Sequence, residues 1–315
     1  MRTIRIQQLQ PYCRLTLTVI CLLAVLTPAN AIQLPSFSLR RADCVTVAGL
    51  RWYTDYKSAC DAAQCEQKML LVNFLPRGKS DAQHALESYL KTNGEVRDQL
   101  QDFVLVRLPR DARVGGRIIA MRKKRGRLID DPAFKHLGRS PGLAIVDYKH
   151  TENRYYGKVV TALPYKDGKY YRWENSHLAV ALGLPAGTVT QRTMIWAVRT
   201  HPEAPQSTVG KLHPALAAAA ARQSAYQASI GVQGHQNWET RFHQVVARTH
   251  AGSAREVVAE SWENQDLIDS AIDCVQSWRQ SPGHWSAVSS RHRYFGYDIR
   301  RGKNGIWYGT GIFAN

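Results

Sequence analysis

Acidic residues are in short supply. The 315-residue chain has 25 Asp and Glu against 42 Lys and Arg, a formal net charge of +17. That imbalance disfavours cationic partners and favours anionic ones, such as a charged cell surface, an acidic glycan, a lipid headgroup or nucleic acid. Cysteine is also sparse, and no two cysteines are spaced C-x-x-C. Thiol–disulfide exchange needs a thiolate nucleophile and a resolving sulfur, so a redox activity is not expected. No H-E-x-x-H helix is present to hold zinc, and no strand–GxxxxGK–helix pattern to cradle phosphate. Long apolar runs are missing beyond the first residues. Leu15 to Leu26 is apolar but too short to span a bilayer comfortably, and no later segment is apolar enough to cross one.

That early run has the build of an export signal. Arg2, Arg5 and Arg14 precede it, and Ala29-Asn30-Ala31 is a small-x-small cleavage site. Residues 1–31 are therefore expected to be a signal peptide, with the mature chain starting at Ile32 and acting in the periplasm or outside the cell. Loss of the three arginines leaves +14. Cys21 follows Ile20, a poor residue for lipoprotein processing, so no lipid anchor is expected. Export favours disulfides. Cys44, Cys60, Cys65 and Cys274 remain, and four cysteines allow three pairings. The clustering of the first three predicts a bridge from Cys44 to Cys60 or Cys65. Cys60 and Cys65 on one helix would point to different faces. Cys274 is expected to sit unpaired in a core.

The chain after the signal suits two domains by size. Residues 45–185 alternate helix and strand. Asp55 to Gln67 reads as a helix, and Met69 to Phe74 as a buried strand. Leu75-Pro76-Arg77-Gly78 breaks that strand. A second helix, capped by Ser80 or Asp81, runs to about Lys91. Strands follow at Phe103 to Leu108, Leu143 to Asp147 and Tyr155 to Val160. The order predicts a helix-covered mixed sheet. With Lys68-Met69-Leu70-Leu71-Val72-Asn73-Phe74 and Ser140-Pro141-Gly142-Leu143, this half resembles the thioredoxin fold. The resemblance implies a cis proline at Pro141 facing the active site. Where the family carries C-x-x-C, this chain has Lys79-Ser80-Asp81-Ala82, so the module is expected to be redox-inactive. Arg107 to Arg127 holds nine basic residues and one acid, Asp111. It reads either as an anion-binding arm or as a solvated loop. It has no aromatic residue for base stacking, which argues against nucleic acid.

The second half is helix-rich and ends in strands. Thr188 to Gln191 has capping-box spacing. Pro214 opens an Ala-rich helix that Gly231 stops, and Asp266 to Trp278 repeats apolar residues near every 3.6. Tyr294 to Arg300 and Ile306 to Ala314 read as strands joined by Lys303-Asn304-Gly305, a hairpin signal. Five segments occur in a telling order: Leu212-His213-Pro214 into the Ala-rich run, Gly234-His235, Ala259-Glu260, Val275-Gln276-Ser277-Trp278, and a Ser281-Pro282-Gly283-His284 turn. Together they make residues 190–315 resemble a CAP domain (cysteine-rich secretory protein, antigen 5 and pathogenesis-related 1) of the bacterial SCP-like kind. The predicted architecture is thus α/β plus α+β, a thioredoxin-like domain followed by a CAP-type α-β-α sandwich. The resemblance implies a cleft presenting His235, Glu260 and His284, with Ser281 where the family carries a second glutamate.

Two imidazoles and a carboxylate suit Zn2+ or another divalent cation, with a position left open. Remote residues of these types also form hydrogen-bonded structural clusters. Trp238, Trp262 and Trp285 flank the three residues and read either as an aromatic groove for a sugar or lipid or as core packing. His243, His250 and His292 match no family position and read as surface or core histidines. The expectation is non-catalytic binding of a polar or lipidic ligand at the cell exterior. The alternatives are a metal-assisted hydrolase acting on a cell-surface polymer or peptide, and a charge-driven adhesion or scaffold protein.

Overall fold

The computed structural model describes residues 43–78, 80–113 and 126–315. The expected signal peptide at 1–31, Lys79 and residues 114–125 of the basic segment lie outside the described residues.

Two mixed sheets give the chain an α/β character. The first comprises β1 (Cys44–Val47), β2 (Leu50–Tyr53), β3 (Met69–Leu75), β4 (Phe103–Pro109), β5 (Gly142–Val146) and β6 (Val159–Pro164), in the order β1-β2-β4-β3-β5-β6. β3 is parallel to β4 and antiparallel to β5. Side chains alternate across it. Leu70, Val72 and Phe74 pack under α1 (Tyr56–Glu66), whereas Met69 and Leu71 face α2 (Asp81–Thr92), α3 (Gly94–Leu100) and α4 (Ser176–Leu182). Asp55 caps α1 by accepting the Ser58 N–H.

The second sheet comprises β7 (Lys211–Leu212), β8 (Ala254–Glu260), β9 (Tyr294–Arg301) and β10 (Trp307–Ala314), in the order β7-β9-β10-β8. α5 (Val189–Arg199) and α8 (Leu267–Gln280) cover one face. α6 (Pro214–Ile230) and α7 (Trp238–Thr249) cover the other, and α9 (Pro282–Ser289) follows α8. Val257, Ala259 and Phe313 face α5 and α8, while Ile312 and Ala314 face α6. Gly296 permits the closest approach: a Cβ there would lie 2.3 Å from the Ala217 nitrogen of α6.

The described residues form one compact unit, and the reason lies in α5. Every residue from Thr190 to Val198 is buried, because the helix touches β6 of one sheet and β9 and α8 of the other. One apolar cluster therefore runs from Trp52 and Leu71 through Met194 and Trp196 to Trp278 and Phe313. Polar contacts reinforce the join. Buried Arg192 donates to the Ala181, Leu184 and Pro185 carbonyls and to Thr161 Oγ1, at 2.9–3.0 Å. Burial pushes its pKa down to about 10, against the pull of Asp147. The Asp269 carboxylate accepts the backbone N–H groups of Lys169, Tyr170 and Tyr171 at 2.8–2.9 Å, and Lys166 pairs with Asp266 at 2.7 Å.

Several expectations are corrected. The strand expected at Tyr155 to Val160 begins instead at Val159. Asp147 Oδ1 accepts the Lys149 and His150 N–H groups, and Gly157 turns at φ +69, so the intervening chain folds back as turns. The bond before Pro141 is trans, as are all peptide bonds among the described residues. Cys44, Cys60 and Cys65 are unbridged. Cys60 faces the core between Tyr56 and Tyr148, and burial raises its thiol pKa; Cys65, five residues on, is exposed. Cys274 is buried and unpaired, as expected. Among the described residues, no helix is long and apolar enough to cross a membrane.

Candidate functional site

The loop from Gly231 to Asn237, between α6 and α7, is shaped by glutamines. Gln223 Nε2 donates to the Gly234 carbonyl at 2.7 Å and to Gln236 Oε1 at 3.1 Å. Gln227 Oε1 accepts the Gly234 N–H at 3.0 Å, and Gln233 Nε2 reaches the Val258 carbonyl at 3.2 Å. Gln227 and Ser224 both reach Thr310 Oγ1 of β10 at 3.0 Å. Four short polar links thus set the direction in which His235 leaves the loop.

His235 and His284 do meet. Their Nε2 atoms are 3.4 Å apart, with ring centroids at 5.6 Å. His284 arrives on a helix, which corrects the expected turn: Pro282 takes the first-turn position of α9, and His284 sits two residues later. The acid at the site is not Glu260. His235 Nδ1 lies 3.0 Å from Glu256 Oε1. Glu256 and Glu260 share a face of β8, but four residues of strand separate them by about 13 Å. Glu260 is exposed at the strand's end, opposite Tyr308. Glu256, by contrast, has a fully buried side chain. Arg241 of α7 clamps it, with Nε to Oε2 at 2.6 Å and a terminal nitrogen to Oε1 at 2.7 Å. The same guanidinium donates to the Gln236 carbonyl at 3.1 Å.

These contacts define the chemistry. A carboxylate accepting from His235 Nδ1–H places the lone pair on Nε2, toward His284. The His284 pKa is lowered, first by burial and then by the neighbouring His235, which favours its neutral form. The His235 side chain is 42% exposed, so the pair is open to solvent. Two imidazole nitrogens bound tetrahedrally to zinc at ~2.05 Å would lie about 3.3 Å apart, so the pair fits half of such a site. Among the described residues, no group of three His, Cys, Asp or Glu is placed to hold a metal.

The three tryptophans do not form one groove wall. Trp238 packs on Phe242 and under Arg241, Trp285 lies against His201 and Arg279, and Trp262 is 65% exposed over Lys169. His292 is a core residue: its Nε2–H donates to the Ala287 carbonyl, its Nδ1 accepts from Asn315 Nδ2, and its ring stacks on Phe313. The residues a sequence reading misses are Glu256 and Arg241. The available signal was the alternation of β8, which puts Glu256 on the same face as Glu260. One further string, Gly138-Arg139-Ser140-Pro141-Gly142, has the Gly-x-Ser-x-Gly spelling. It joins a 3-10 helix (Pro132–Leu137) to β5, not a strand to a helix, so it is no nucleophile elbow.

No family model, no curated protein and no solved structure matches this chain.

Proposed function

We propose that the chain is an exported binding protein whose second half, residues 190–315, is a CAP-like module that uses His235 and His284 to hold a divalent cation, and through it a polar ligand. The observation that carries this reading is the 3.4 Å Nε2···Nε2 approach with Nδ1 of His235 engaged by Glu256. When bound, a cation would offer open positions to ligand oxygens. Glu256 and Arg241 are positioning residues: they set the tautomer and the ring plane of His235. Both Glu256 oxygens are committed to Arg241 and His235, which leaves neither of them free to act as a base. This favours binding over hydrolysis.

The first half is read as a thioredoxin-like scaffold without redox activity. In support, β3 and β4 are parallel and β5 and β6 antiparallel, the buried Cys60 has a raised pKa, and C-x-x-C is missing.

Isothermal titration with Zn2+ tests the reading. Wild type should give a saturable heat that His284→Ala abolishes. Glu256→Gln should weaken binding about 10–100-fold, the usual effect of losing such an outer partner. Glu260→Gln should bind as wild type does. Identical heats for wild type and His284→Ala would exclude the cation.

A further inference from the structure

We propose that the groove between α6 and α7 is a second ligand site, one that takes a small carboxylate-bearing sugar of hexuronate type. It is separate from the histidine pair, although the two share Arg241. Helical spacing builds its walls: Arg222 and Tyr226 are one turn apart on α6, and Asn237, Thr240, Arg241 and Gln244 line the facing side.

Three features select the ligand. The first is charge. No Asp or Glu lines the groove, and Arg241 is already neutralised by the buried Glu256. The exposed Arg222 therefore contributes a cation with no carboxylate facing it across the groove, and a guanidinium fork matches a carboxylate. The second is the uncharged lining. Asn, Gln, Thr and Tyr side chains each donate and accept, as vicinal hydroxyls do. Tyr226, 43% exposed, also offers apolar ring surface against which the C–H side of a sugar can pack. The third is size. The groove is open to solvent and holds about 210 Å3, below the ~300–1,000 Å3 of sites for drug-sized ligands, so it suits a single ring. The basic character of the chain raises the local concentration of such anions.

The test is a titration of the chain with D-glucuronate, followed by amide chemical shifts in the presence of EDTA. The chelator removes any cation from the histidine pair, so failure of the cation reading does not affect the result. Saturable shifts are expected at residues 222–244 with Kd of about 1 mM, as one charged contact and a few neutral ones supply only modest affinity. Glucose, which lacks the carboxylate, and acetate, which lacks the hydroxyls, should each bind at least about tenfold more weakly. Arg222→Ala, a change at an exposed position, should weaken glucuronate at least about tenfold, the loss of one charge-assisted contact. No saturable shift in the groove, glucose or acetate binding as well as glucuronate, or an unaffected Arg222→Ala would each overturn the proposal.

Discussion

Replacing Arg241 by methionine should be among the most destabilising single changes in the second half of the chain. The guanidinium makes two contacts, at 2.6 and 2.7 Å, with a carboxylate whose side chain is wholly buried. Hydrogen bonds to charged groups contribute about 1.5–3 kcal/mol each. Methionine keeps most of the apolar stem but leaves Glu256 with His235 alone, itself 42% exposed. Breaking a buried pair from one side costs about 3–5 kcal/mol, because the remaining charge stays out of water. Urea unfolding followed by tryptophan fluorescence would read that loss as a lowered midpoint. The decisive control is Arg241→Met combined with Glu256→Leu, which leaves no buried charge and should recover most of the stability. A cost below about 1 kcal/mol for Arg241→Met, or strictly additive losses in the double variant, would refute the argument, since contacting residues should couple.

Two further predictions concern the joint between the sheets and the response to acid. Asp269→Asn can keep the oxygen that accepts the Tyr170 and Tyr171 N–H groups but turns an amide NH2 toward the Lys169 N–H, so it should cost about 2–4 kcal/mol; a midpoint equal to wild type would mean that the 169–171 turn is held by something else. Burial holds His136 near pH 4, below the ordinary 6.5. The unfolded state therefore takes up a proton that the folded state refuses, and stability present above pH 6.5 is lost as pH falls toward 4. At ~1.36 kcal/mol per pH unit this amounts to about 3 kcal/mol at most. His177, His201, His213, His284 and His292 are shifted in the same direction by burial. His136→Gln should flatten the slope of unfolding midpoint against pH across that window, and an unchanged slope would exclude the residue as a contributor.

How much of this was legible in the chain follows the range of the interactions. α1, β3, α2, β4, α5, α6, α8 and the terminal hairpin are carried by local signals: the Asp55 cap, the Thr188–Gln191 capping box, Pro214 at a helix start, Gly231 at φ +69 and Lys303-Asn304-Gly305 at a turn. The start of β6 is not legible because the turns before it depend on the Asp147 side chain as well as on Gly157 at φ +69, and a carboxylate accepting backbone N–H groups leaves no distinctive spacing. α9 was read as a turn because Pro282-Gly283 suits either a turn or a helix start, and packing beside α8 decides. α7 and β8 have strong amphipathic or alternating patterns but few punctuating residues.

Residue types and spacing determined by themselves the basic balance, the lack of a dithiol and the helix starts, because each depends on composition or on neighbours a few positions apart. Tertiary structure alone decided that one core serves both sheets through α5, and that His235 is partnered by Glu256 and not Glu260. A strand shows the same face every second residue. Both glutamates satisfy that pattern, and only the position of Arg241 on a separate helix determines which of the two is drawn into the interior.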